Sequence, residues 1–271
     1  MDLVKNWDKV KMYDLTQNLS HLTPPWPTYE PLQIKFFKRL APNGANGQLL
    51  TTSNHVGTHL DGPMHFVTSG RDIASLELDK LIHPGVIVDL SDITSDFSIY
   101  TPEDIEERVE VKEGDILIIN TGYHKYGWDQ PEADERRYML RHPGPSMSFI
   151  DWAKEKKIRW LGIDAGSMDH PMNTKIRDWE PGEAKIADET LQELYGKSLD
   201  ELYPWPDVYQ ATHTMLFPEP WEIIHAENVG GEIDKLSNKR VLIGVFPLKF
   251  EGGESSMARI VAFDTEGGEE E

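Results

Sequence analysis

Apolar and polar positions along the chain predict strands towards both ends with helices set between them. Residues 12–15 read as a short strand, and the proline-rich residues 23–27 as a rigid extended loop in which Trp26 is a candidate pocket wall. Residues 32–37 alternate with period two, residues 42–47 form a turn, and residues 48–52 lead back, which together predict a hairpin. After a short segment at residues 73–81, unbroken apolar runs at residues 85–90, 114–122 and 160–164 have the composition of strands buried on both faces. Thr101 followed by Pro102, Glu103 and Asp104 supplies an N-cap, a first-turn proline and first-turn acids, the start of a helix. Residues 125–142, charged and aromatic, predict an exposed helix, and residues 146–156 an amphipathic one. Residues 241–246 and 258–263 predict a closing antiparallel pair. Strand, helix, strand in the middle of the chain gives an α/β class.

No repeat and no clear linker divides the 271 residues, so a single domain over residues 1–271 is expected. Residues 171–210 differ in composition and read as an insertion that covers one side of a site or, equally, as an oligomer contact. Residues 264–271, ending in Gly and Glu, read as a disordered tail. Charge narrows the partners. Lys and Arg number 27 against 47 Asp and Glu, a net charge of −20, which repels phosphate backbones and anionic lipid heads and argues against nucleic acid and membrane. There is no cysteine, hence no disulfide framework and no thiol nucleophile. The first eight residues lack the apolar core of a signal peptide, and no run approaches the roughly 18 apolar residues of a membrane span. A soluble, cytoplasmic protein is expected. The expected partners are a small-molecule substrate and further copies of the chain, as a dimer or tetramer.

The candidate chemistry is concentrated in residues 53–66. His55, His59, Asp61 and His65 fall within eleven residues and share odd parity, so an extended chain points them to one face. A straight strand would hold the Cα atoms of His55 and His59 about 13 Å apart, too far for one ion. A helix is opposed by Gly57 and ended by Pro63. A strand that bends at Gly57 lets His55, His59 and Asp61 converge, with His65 slightly apart. Two imidazoles and a carboxylate suit Zn²⁺, Mn²⁺ or Fe²⁺ and leave coordination positions open.

The run from His55 to His65 resembles the H-x-G-T-H-x-D-x-P-x-H signature of the cyclase-like metal-dependent hydrolases, the family of bacterial kynurenine formamidase and isatin hydrolase, and fills every fixed position. The resemblance extends from about Tyr13 to Phe263. It implies an α/β fold on a mixed, partly barrel-like sheet with flanking helices, of the swivelling β/β/α type. It also implies that a His and a Glu in the C-terminal half join the centre. His213 and Glu227 are the matching residues, and they would complete a Zn or Mn site of one or two ions. His225 suits packing better. The resemblance implies hydrolysis of an amide, imide or lactone in a small aromatic or cyclic compound by metal-activated water. His65, just past the ligands on their face, is the expected base. Asp164, at the end of a predicted strand, is a further candidate or a turn cap. The alternatives are a metal-dependent lyase or cyclase on the same scaffold and a non-catalytic metal-binding protein. No phosphate-binding glycine motif points to an organic cofactor.

Overall fold

The computed structural model of the protein describes residues 5–265. The apolar runs become strands. In chain order they are β1 (Lys11–Asp14), β2 (Gln33–Lys38), β3 (Gly47–Thr51), β4 (His59–Asp61), β5 (Ile82–Asp89), β6 (Ile99–Tyr100), β7 (Ile116–Asn120), β8 (Gly144–Pro145), β9 (Trp160–Ile163), β10 (Ile224–Glu227), β11 (Lys239–Pro247) and β12 (Ser255–Asp264). β2 pairs with β3 and β6 with β8, while the other eight form one sheet in the order β1-β12-β11-β5-β7-β9-β10-β4. One end of β12 carries β1, with Lys11 opposite Asp264. The other end pairs with β4, setting Ser255 opposite Asp61 and Met257 opposite His59. That last pairing closes seven strands into a barrel.

Strand direction accounts for the unbroken apolar runs. β5, β7, β9 and β10 are parallel neighbours, and a parallel sheet is buried on both faces. Alternate residues divide accordingly: Ile87, Ile116, Ile118 and Trp160 fill the barrel, whereas Val86, Val88, Leu117 and Leu161 lie outside it under the helices Ser148–Glu155 and Pro181–Tyr195. At Gly85 the strands come so close that a Cβ would stand 2.2 Å from the Ile116 carbonyl oxygen. β11 and β12 form the antiparallel pair that the sequence predicts, with Val245 opposite Ile260. The helix Pro102–Glu106 starts at a capping box, the Thr101 hydroxyl accepting from Asp104 N–H and the Asp104 carboxylate from Thr101 N–H.

Three expectations need correction. Asp264 does not belong to a tail: it ends β12 and is buried, its carboxylate 2.6 Å from Lys239 Nζ; residues 266–271 lie outside the described residues. Residues 125–142 hold a helix only at Glu135–Leu140, and Tyr138, Met139 and Leu140 are buried, because this segment packs over the outer face of the barrel. The β2–β3 hairpin exists, but its turn contains a helical turn at Leu40–Asn43 ended by left-handed Gly44. Every residue of β2 is exposed, so the alternation there does not mark a buried face.

Candidate metal centre

The site lies on the outer surface of the barrel, where β4 and β10 run side by side. Leu60 and Ala226 point into the barrel core, so their neighbours His59, Asp61, His225 and Glu227 point out of it. Glu227 stands directly opposite His59 in the antiparallel ladder. Gly57 has φ +65°, the left-handed bend that a glycine accommodates without strain. The bend brings His55 back onto the same face, its Nδ1 3.1 Å from Asp61 Oδ1 and 3.2 Å from His59 Nε2. The helix Ala211–Leu216, buried along its inner face, delivers His213 from above, Nε2 3.5 Å from Asp61 Oδ2 and 3.6 Å from Glu227 Oε1. His59 Nε2 completes the group at 3.4 Å from Asp61 and 3.6 Å from Glu227.

These separations fit a cation better than a hydrogen-bond network. Two ligand atoms about 2.1 Å from one tetrahedral ion are about 3.4 Å apart. Asp61 is fully buried, and although three imidazoles approach it, neither carboxylate oxygen has a hydrogen-bond partner at a bonding angle. An ionised carboxylate left that way costs several kcal/mol, a penalty that a bound divalent ion removes. All five residues bring nitrogen or oxygen donors of the kind Zn²⁺ and Mn²⁺ accept.

The far sides of the three imidazoles and of Glu227 are also fixed. His59 Nδ1–H donates to the Gly57 carbonyl (2.8 Å), so the bend that gathers these side chains orients one of them as well. His213 Nδ1–H donates to Asp169 (2.6 Å) and His55 Nε2–H to Glu254 (2.9 Å). Glu227 Oε1 accepts from Met168 N–H and the Ser167 hydroxyl. Each imidazole thus turns its lone-pair nitrogen to the centre, the arrangement that metal-binding histidines require. With protons as the only counter-charge, burial pushes His55 and His213 down, but the carboxylates around them prevail and hold both at about 10. Of the two central carboxylates, Asp61 is held ionised against its burial by the surrounding imidazoles, while burial and the charge of Asp61 push Glu227 up.

A cleft opens onto this centre, walled by Trp26, Tyr29, Phe66, Trp179 and Tyr209. His65 lines it too, and its ligand atom lies within 4.8 Å of those of His55 and Asp61. Its Nδ1–H donates to Glu254 (2.8 Å), and its ring centroid lies 4.3 Å from that of His55. Residues 171–210 contribute Lys175, Trp179, Tyr209 and Gln210 to the cleft. Asp164 does not reach it. Both of its oxygens are taken by Thr121 and His124, so it ties β9 to the segment after β7. His225, read from the sequence as packing, is fully buried between His213 and Phe217 with neither nitrogen hydrogen-bonded, and its ligand atom lies within 4.8 Å of those of His213 and Glu227.

Sequence reasoning missed Glu254 and Asp169. Glu254 precedes β12 in a Gly-Gly-Glu-Ser-Ser stretch that carries no local signal, and reaches the site only because Ser255 pairs with Asp61. Asp169 lies in the loop after β9, where its one visible cue is the adjacent His170.

Comparison with known proteins places these residues in context. The sequence model of the family described as "putative cyclase" matches residues 13–170. Kynurenine formamidase of Bacillus cereus is 26% identical over 167 residues, 60% of this chain and 71% of that protein. The Bacillus anthracis counterpart is 27% identical over 166 residues, 61% and 73% respectively. Among solved structures, isatin hydrolase A from Ralstonia solanacearum superposes with TM-score 0.74 at 20% identity, covering 96% of this chain and 94% of the other. A potential metal-dependent hydrolase with cyclase activity gives 0.62 at 21% identity, covering 94% and 98%. At these identities the structural matches establish the shared fold.

Proposed function

Since the chain belongs to the putative cyclase family, we propose that it is a metal-dependent hydrolase that cleaves the C–N bond of an amide or imide in a small aromatic or cyclic substrate. The observation that carries this reading is Asp61, fully buried with both oxygens unpartnered and imidazole nitrogens 3.1–3.5 Å away. His55, His59, Asp61, His213 and Glu227 would hold Zn or Mn, as one ion or as two sharing Asp61. When bound, such an ion supplies Lewis acidity, polarising a carbonyl and making water acidic near neutral pH.

The protein's own groups do the rest. Glu254 accepts the Nδ1–H of His65, which leaves Nε2 as the lone-pair nitrogen, free to take a proton from water and return it to the leaving nitrogen. The aromatic walls bury a flat substrate and exclude water around the reacting carbonyl. Residues 171–210 act as the cover of the site within a single domain. The names of the similar proteins, kynurenine formamidase and isatin hydrolase, support amide and imide substrates. A lyase or cyclase on the same centre is the second reading, supported by the family's description.

No helix among the described residues is long and apolar enough to cross a membrane. The cysteine-free composition suits a cytoplasmic setting. We also propose that the chain self-associates through the β2–β3 ribbon. It exposes Ile34, Phe36, Phe37, Leu49 and Leu50, and an isolated two-stranded hairpin is marginal in water. Residues 33–51 carry three cations and no acid, opposite in sign to the rest of the chain. Light scattering should give a mass that is a multiple of 31.0 kDa.

The activity test is metal analysis of purified protein followed by a pH-indicator screen over formyl-anilides, isatins, cyclic imides and lactones. Hydrolysis adds one water to the product mass and cyclisation does not. A metal-loaded protein inert towards all four classes would overturn the hydrolase reading.

A further inference from the structure

We propose that a second ligand site lies at the end of the parallel strands remote from the metal centre, and that it takes a small oxyanion, carboxylate or phosphate, joined to a flat apolar body. The pocket is lined by residues one or two positions ahead of those strands: Lys80 before β5, Gly114 before β7, Arg159 before β9 and Ile223 before β10. Glu227 stands at the other end of β10, and no residue lines both this pocket and the aromatic cleft. Three cations, Lys80, Lys157 and Arg159, line the pocket against one acid, Glu113, in a chain of net charge −20. Such a local reversal of sign draws an anion that the rest of the surface repels.

Two of the cations hold unused donors. Arg159 Nη1 donates to the Asp79 carbonyl (3.0 Å) and stands 3.7 Å from the exposed Asp79 carboxylate. Its Nε is buried without an acceptor, and Nη2 has none among the described residues. Nε and Nη2 form one edge of the guanidinium, the fork that receives two oxygens of a carboxylate or phosphate. Lys80, partly buried, donates to the Glu222 carbonyl (2.7 Å) and has no carboxylate at ion-pair distance among the described residues, Arg71 having taken both oxygens of Glu222. Burial pushes its ammonium down to about 8, against the pull of Glu222 and with the push of Arg71 and Arg159. A cation drawn out of water and short of counter-charge is stabilised by an incoming anion. Lys157 pairs with Glu113 at 2.6 Å, both side chains 65% exposed, and a pair so exposed is weak and exchangeable. The apolar side of the pocket is Ile158, Pro220 and Trp221, and the Trp221 ring, 40% exposed, is left for a flat partner to cover.

The test is calorimetry on the metal-loaded full-length protein with naphthoate, naphthyl phosphate, the neutral naphthalenemethanol and inorganic phosphate as probes. At least one naphthyl anion should bind about tenfold tighter than both the alcohol and inorganic phosphate, and the tighter of the two identifies the headgroup. Arg159→Gln and Lys80→Met should each weaken that binding about tenfold, and Arg159→Lys, which keeps the charge but not the fork, nearly as much. Trp221→Ala should remove the advantage over inorganic phosphate. Lys175→Met, in the aromatic cleft, should leave the affinity within about twofold. Thermal unfolding checks that each variant is folded; should Arg159→Gln fail to fold, the exposed Lys157→Met should still cost about threefold. Failure of both naphthyl anions to bind, equal affinity for the alcohol or for inorganic phosphate, or affinity unchanged in the pocket variants would overturn the proposal. A loss confined to Lys175→Met would overturn it too, by putting the anion in the cleft.

Discussion

Glu254→Gln is the most informative single change, because one carboxylate oxygen serves two functional histidines. Oε2 lies 2.9 Å from His55 Nε2 and 2.8 Å from His65 Nδ1, and Oε1 accepts from the Asn54 amide at 2.9 Å. Glutamine keeps the shape but cannot keep all three bonds. With its oxygen towards the histidines, its NH₂ faces the NH₂ of Asn54; turned over, its NH₂ faces two imidazole N–H groups. In the better orientation two charge-assisted bonds become neutral ones, each losing about 1 kcal/mol, for a total of about 2 kcal/mol. Only the His55 bond bears on the metal, and its loss of about 1 kcal/mol corresponds to a fall of about fivefold in equilibrium terms. Metal affinity, measured by competition with a chromogenic chelator, should weaken accordingly. Turnover at saturating metal should also drop, about tenfold or more, because His65 loses the partner that fixes its tautomer. Adding Asn54→Ala removes the clash and should recover part of the affinity. Wild-type affinity together with wild-type turnover in Glu254→Gln would refute the reasoning, since it would mean that neither imidazole depends on the carboxylate.

The remaining predictions address the centre and the stability of the fold. His59→Ala removes an imidazole wedged between Asp61 and Glu227, so the purified protein should lose both its metal and its activity; stoichiometric metal at unchanged affinity would contradict the proposed ligand assignment. His65→Ala should keep its metal while losing about 10²–10⁴-fold in turnover, and metal loss rescued by excess ion would make His65 a ligand instead. Stability should fall on mild acidification because of His142 and His170, which burial pushes down to about 4 and about 3. Above pH 6.5 both are neutral folded or unfolded and their contribution is fully present. Below it the unfolded chain takes up protons that the folded one refuses, costing about 1.4 kcal/mol per pH unit for each histidine until the folded pKa is reached. From pH 7 to pH 5 the two together should remove about 4 kcal/mol, read by denaturant titration. Imidazole NMR showing both residues titrating near 6.5 in the folded protein would refute this.

The run from His55 to His65 specified a bend and three converging donors on its own, because parity and a single glycine act over a few residues. The apolar runs at residues 85–90, 114–122 and 160–164 likewise specified doubly buried strands, and residues 241–246 and 258–263 an antiparallel pair, since side-chain period and strand burial are local properties. The family signature extended that reading to His213 and Glu227, which no local spacing connects to the run. Contacts across the chain decided the rest. The same pairing of β12 with β4 that closes the barrel brings Glu254 to His55 and His65 across nearly two hundred residues. Asp169 gains its role only because the helix Ala211–Leu216 settles over the loop after β9. Asp164 is diverted by Thr121 and His124 on a neighbouring segment. β2 and Glu135–Leu140 show the same limit from the other side: the first alternates yet lies exposed, while the second is charged at its start yet buries Tyr138. Periodicity records which residues share a face, but what covers that face is fixed by strand order and chain closure, and those are properties of the folded whole.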